Sequence, residues 1–165
     1  MGVKIKTKLN KFPEMQSRID NLNGKKINVG VAGENGWLAG IHEYGCKITI
    51  TPKMRAWLRA NGLPVRASTT HITIPERSFL RSGFDNCHNE VSKKIEKLLA
   101  LAIDGKMSEQ AFLNTTGTFF RDRIKDYAVS VNTPPNHPFT IERKGSSNPL
   151  VDTGDMINSI SYEVK

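Results

Sequence analysis

Apolar positions recur at helical spacing most clearly in one stretch, where Val91, Ile95, Leu98, Leu99 and Ala102 share a face and Lys93, Lys94, Glu96 and Lys97 occupy the others. This pattern predicts a long helix, capped by Asp85 or Asn86 and ending at Asp104-Gly105. A second helix is expected directly after it. Ser108 is a suitable N-cap, Met107 and Phe112 are spaced as a hydrophobic staple, and Phe112, Phe119, Ile124 and Tyr127 suit one apolar face, with Gly117 a local weakness. Shorter helices are predicted from Pro13 to Leu22, from Trp37 to Tyr44, and around Met54, Trp57 and Leu58, the last with Trp57 on its apolar side and closed by Asn61-Gly62 before Pro64.

Alternating positions predict strands at Ile27 to Val31, Lys47 to Thr51, Ile72 to Ile74, Phe139 to Arg143 and Ile160 to Val164. At the N-terminus, Val3, Ile5, Thr7 and Leu9 alternate with Lys4, Lys6 and Lys8, and Lys11 follows; this is a half-buried strand or a basic arm spanning residues 1–12. The prolines of Asn132 to Pro138 and the polar run Lys144 to Asn148 predict an extended loop over 132–149, and Leu63 to His71 is a second loop. One helical turn is expected at Thr153 or Asp155. The element order argues an α+β fold: an antiparallel sheet with two main helices packed on one face, plus short helices and long loops, all in one domain of 165 residues.

The net charge of +8 changes the picture by favouring nucleic acid, anionic lipid or an acidic protein as a partner, without choosing among them. Lys4, Lys6, Lys8, Lys11, Lys25, Lys26, Lys53, Arg55, Arg59 and Arg66 are candidate phosphate contacts, with Trp37, Trp57 or Phe79 available for stacking, but no recognised base-reading motif accompanies them. Cys46 and Cys87 lie far apart with no apolar leader before them, which predicts reduced thiols. No run approaches the roughly 20 apolar residues of a membrane span.

Catalytic patterns are weak. His42-Glu43 begins like a zinc-protease motif, but Cys46 stands at the second histidine position and Gly45 ends the helix that would align them. His42, Cys46, Cys87 and His88 lack the usual separations of a zinc site. Gly30 to Gly36 lacks the lysine and hydroxyl of a phosphate loop, and no nucleophile elbow occurs. The reading is of a protein that is not an enzyme and holds no cofactor or metal.

Three blocks stand out. They are Ala39-Gly40-Ile41-His42-Glu43-Tyr44-Gly45, then Pro75, Arg77, Phe79, Leu80 and Arg81, and finally Pro149, Leu150, Asp152, Thr153, Gly154, Met156, Ser159 and Ile160. Together and in this order they resemble the phage minor tail, tail-completion and head-tail joining proteins, including the Mu G-like virion morphogenesis group. Ser78 departs from that pattern, standing where the family usually has a second proline. The resemblance implies a small α+β structural subunit of the virion neck or head-proximal tail, assembled in the host cytoplasm. Its partners would be copies of itself in a ring and neighbouring connector, tail-terminator or tail-tube proteins, with non-specific contact to DNA and no membrane. The block residues are then fold determinants: Phe79 and Leu80 plug the start of the helix pair, Gly154 permits a tight turn, and Asp152 or Thr153 binds free amides. Lys4, Lys6, Lys8 and Lys11 are the candidate electrostatic contact, and the two loops are further candidate contacts.

Overall fold

The computed structural model describes residues 10–165. The alternating segment before Asn10, with Lys4, Lys6 and Lys8, lies outside the described residues; Lys11 is exposed, and its carbonyl accepts the first amide bond of the opening helix from Met15, at 3.1 Å. The fold is α+β.

Helix α1 (Phe12–Leu22) has Pro13 in its first turn, where a missing amide donor costs nothing. Strand β1 (Ile27–Val31) follows, then a 3-10 turn at Gly33–Asn35 and helix α2 (Gly36–Tyr44). Residues 46–74 form an arm made of β2 (Cys46–Thr49), α3 (Pro52–Ala60) and β3 (His71–Ile74). Two long helices come next, α4 (Arg81–Ile103) and α5 (Glu109–Ser130), the latter capped by Ser108, whose hydroxyl accepts from the Ala111 amide at 3.2 Å. The chain closes with α6 (Pro138–Lys144), the single turn α7 (Asp155–Asn158) and β4 (Ile160–Val164).

The strands pair as two antiparallel ribbons, not as one sheet. β1 pairs with β4, Ile27 opposite Val164 and Val31 opposite Ile160, while β2 pairs with β3, Cys46 opposite Ile74 and Thr49 opposite His71. Helix α5 lies across the β1–β4 ribbon and packs along α4, so of the two helices predicted to cover the sheet it is α5 that makes the main backbone contact with the strands. The second ribbon is instead the stem of the arm.

Phe139 to Arg143 is helical, which corrects the expected strand. Three short-range features outweigh its alternating pattern: Pro138 occupies the first turn, the His137 ring nitrogen accepts from the Phe139 amide at 3.2 Å, and Gly145 takes the left-handed C-terminal position at φ +70°. The extended loop predicted over 132–149 is therefore interrupted by a helix. A second correction concerns α4, which starts at Arg81, a turn before Asp85, because its cap comes from a distant part of the chain.

The main core gathers Ala39 of α2, Phe79, Cys87 and Val91 of α4, Ile124 and Ala128 of α5, and Leu150, Met156, Ile157 and Ile160 from the C-terminal segment. Phe79 is fully buried and Ile160 nearly so. A smaller cluster of Leu98, Ala102, Phe112 and Leu113, joined by Leu22 and Met107, closes the far end of the helix pair.

Gly117 sits where α5 meets β4, and its lack of a side chain is what lets the strand approach. A Cβ there would clash with the ring of Tyr162. Gly117→Ala gains up to about 1 kcal/mol of helix propensity, but overpacking of this kind costs about 1–3 kcal/mol. The substitution is therefore expected to lower the urea midpoint, and the double change with Tyr162→Ala to remove the clash; a single variant more stable than the parent would refute this account of the glycine.

Candidate functional site

The three sequence blocks meet at the start of α4. The first turn of any α-helix has amide donors without intrahelical partners, and a buried helix start must find acceptors for them. Here α2 supplies one. Its periodicity turns Glu43 inward, only 3% exposed, and the two carboxylate oxygens accept from the Leu80 amide at 2.9 Å and the Arg81 amide at 3.0 Å. The Arg81 side chain closes the same contact: Nε donates to Glu43 Oε1 at 2.9 Å, and one terminal nitrogen donates to the Glu43 carbonyl at 2.7 Å and to Glu76 at 2.8 Å. The bond to Glu43 is also the leading reason that Arg81 is held above the usual guanidinium pKa. Its guanidinium lies 4.7 Å from the centre of the exposed Tyr44 ring.

Gly45 permits the two segments to come this close. Its φ is +68°, and a Cβ would stand 2.9 Å from both the Ile74 carbonyl and the Glu76 amide. Pro75 then leads the chain from the arm into the turn, where the Arg77 amide donates to the His42 carbonyl at 2.7 Å. The Arg77 side chain is 5% exposed and crosses to the segment after α5, donating to the Pro134 carbonyl at 2.7 Å, the Pro135 carbonyl at 3.2 Å and Asn136 Oδ1 at 3.1 Å. Burial lowers its pKa.

The third block reaches this junction through the core. Pro149 and Leu150 are buried, and Leu150, Met156, Ile157 and Ile160 pack in the cluster that holds Phe79 and Ala39. Leu80 packs against the edge of that cluster. Thr153 accepts from the Asp155 amide at 3.4 Å and donates to its carboxylate at 2.6 Å, and Gly154 takes φ +90° before α7. Ser159 donates to the Asp155 carbonyl at 2.6 Å and accepts from Asn35 Nδ2 at 2.6 Å, which ties the C-terminal segment to the turn before α2.

Between α2, α6 and the Pro149–Met156 segment lies a cleft of about 320 Å³. His42, Asn136 and Lys144 line it, with Asp152, Thr153 and Gly154 from the third block. His42 Nδ1 and Asn136 Nδ2 are buried there without a partner among the described residues. Burial, reinforced by the positive charges of Arg77 and Lys144, brings the His42 pKa down to about 4, so the ring is neutral at pH 7. Burial likewise lowers the pKa of Lys144, whose Nζ donates to the Asn148 carbonyl at 2.6 Å. Most of the cleft's polar groups are engaged in holding its walls.

The residues first weighed as metal ligands are not brought together. Cys87 is buried in the core, with its thiol pKa pushed up by burial, and among the described residues no group of three or more His, Cys, Asp or Glu side chains is arranged to hold a metal ion. No described helix is long and apolar enough to cross a membrane. Sequence reasoning missed Asn148, whose Oδ1 accepts from the Leu150 and Val151 amides at 2.9 and 3.0 Å and whose Nδ2 donates to the Val129 carbonyl at 2.7 Å. Its position two residues before a buried leucine was an available side-chain turn signal. Comparison with protein-family models, curated proteins and solved structures finds no match to this chain.

Glu43→Ala leaves two amides and part of the Arg81 side chain without their acceptor, and should cost about 3 kcal/mol, the range for losing a buried charged acceptor. Urea unfolding checks this; a loss under about 1 kcal/mol would mean that α4 caps itself another way. His42 gives a pH signature of definite sign. Its folded pKa is depressed from 6.5 to about 4, so between these values the unfolded chain takes up a proton that the folded chain refuses, and stability falls as pH falls. His42→Gln should flatten that slope between pH 6.5 and 4; an unchanged slope would place the titration elsewhere.

Proposed function

We propose that this chain is a non-enzymatic structural subunit of a bacteriophage neck or head-proximal tail, forming or completing the head-tail junction as part of a ring. One observation carries the reading. The three blocks that resemble the phage joining and completion proteins are separated by tens of residues, yet they converge on one junction, with Glu43 on the start of α4 and Ala39, Phe79, Leu150, Met156 and Ile160 in one core. Their side chains are used to fix the fold, as the resemblance implies for such a subunit.

Ring assembly joins one face of a subunit to a different face of its neighbour. Exposed aromatic side chains suit such contacts: Trp37 and Tyr44 are each 68% exposed and Phe84 is 49% exposed. Large exposed apolar residues of this kind are enriched at the centres of protein interfaces. The partners are then further copies of the chain and the connector, tail-terminator or tail-tube proteins above and below it.

Immunogold electron microscopy of phage particles made by the genome that encodes this chain tests the reading. Label confined to the head-tail junction is the expected result. Absence of the chain from intact, permeabilised and disrupted particles would overturn it and favour a nucleic-acid-binding module outside the virion.

A further inference from the structure

The positive charge of the protein is unevenly divided. The arm, residues 46–74, contains Lys47, Lys53, Arg55, Arg59 and Arg66 and not one Asp or Glu. Residues 12–45 and 75–165, the body, contain 15 Lys and Arg against 16 Asp and Glu. The body is close to neutral. The net +8 therefore resides in the arm and in the four lysines of residues 1–11.

Structure makes this division physical. Every ion pair among the described residues lies outside the arm, so its cations have no carboxylate partner there. Arg55 is spent internally, donating to the Val65 carbonyl at 3.2 Å and the Thr69 carbonyl at 2.7 Å, which shapes the loop at the arm's end. Lys47, Lys53, Arg59 and Arg66 are exposed. The ribbon register puts Lys47 opposite Thr73 and Thr49 opposite His71, and all four are exposed, so one ribbon face is wholly polar or cationic. A shallow trough of about 550 Å³ beside α3 is lined by Arg55 and Arg59 among small apolar residues.

We infer that this arm is a nucleic-acid backbone-binding element, taking the phosphates of duplex DNA without reading sequence. Single-sign charge and hydroxyl donors suit a uniform polyanion. An acidic protein partner fits less well, because protein interfaces centre on apolar contact, and the arm offers a single large aromatic, already engaged within the chain: the Arg143 guanidinium of α6 lies 5.0 Å from the Trp57 ring centre and donates to Asn61 Oδ1 at 2.8 Å. Trp57 stays half exposed beneath Arg143, and it is the four exposed cations of the arm that make the phosphates the target. The inference does not depend on where the protein resides.

Fluorescence anisotropy with two labelled duplexes of unrelated sequence tests it. Both should bind equally, and with about 0.9 logarithmic units of salt dependence per phosphate contact, four contacts weaken binding about 100-fold between 50 and 200 mM salt. The variant carrying Lys47→Gln, Lys53→Gln, Arg59→Gln and Arg66→Gln should lose at least about tenfold in affinity and most of the salt slope, with an unchanged circular dichroism spectrum and urea midpoint. A variant with Lys4, Lys6, Lys8 and Lys11 changed to Gln should keep the larger part of both. No binding by the parent at 50 mM salt, or parental affinity in the arm variant, would overturn the inference. So would a marked preference for one duplex sequence.

Discussion

A carboxylate buried at a helix start governs this structure. Glu43 is carried by a short helix, yet it satisfies the first amides of the 23-residue α4 and anchors Arg81 beside them. An acceptor placed on the positive end of a helix is favourable both as a hydrogen bond and through the helix dipole. By fixing where α4 begins, it also fixes which residues of α4 face inward, and Cys87 and Val91 reach the same core as Phe79. The arm depends on this contact as well, since Gly45 and Pro75, its two ends, flank the residues that make it.

From this junction the protein divides into two parts with different physical character. The body is held by apolar packing across α4, α5 and the C-terminal segment, and its charges are nearly balanced. The arm has a small interior of its own, with Leu58 and Ile50 buried, and it carries unbalanced cations. Arg143, stacked between Trp57 and Phe139 at 5.0 and 5.7 Å, joins the arm to α6. On the proposed reading, the nearly neutral body would pack against copies of the chain while the cationic arm touches a polyanion.

Much of this was legible in the sequence because it rests on local rules. The 3.6-residue pattern located α4 and α5, Ser108 marked a helix start, and the alternating segments at β1, β2, β3 and β4 were strands. Where long-range contact overrides local preference, the sequence was silent. Asp85 was the better local cap for α4, and only the folded chain brings Glu43 to Leu80. Phe139 to Arg143 alternates like a strand, but Pro138 and Gly145 bracket a helix, and Trp57, placed on an apolar face by spacing, is 49% exposed under Arg143. The residues around His42, Arg77 and Asp152 can be read off the chain, whereas their meeting at one junction, and the cleft lined by His42 and Asp152, follow from topology. The segregation of charge was countable from the start, but it acquired meaning only when residues 46–74 proved to be one projecting unit.

Amide hydrogen exchange followed by NMR tests the central claim most directly, because it reads the Leu80 and Arg81 amides one at a time. If the Glu43 contact is the anchor, both amides should exchange only through global unfolding, with the same free energy as the core amides of α5 around Ile124 and Ala128. Rapid local exchange at Leu80 and Arg81, with α5 still protected, would contradict it and make the junction a peripheral contact.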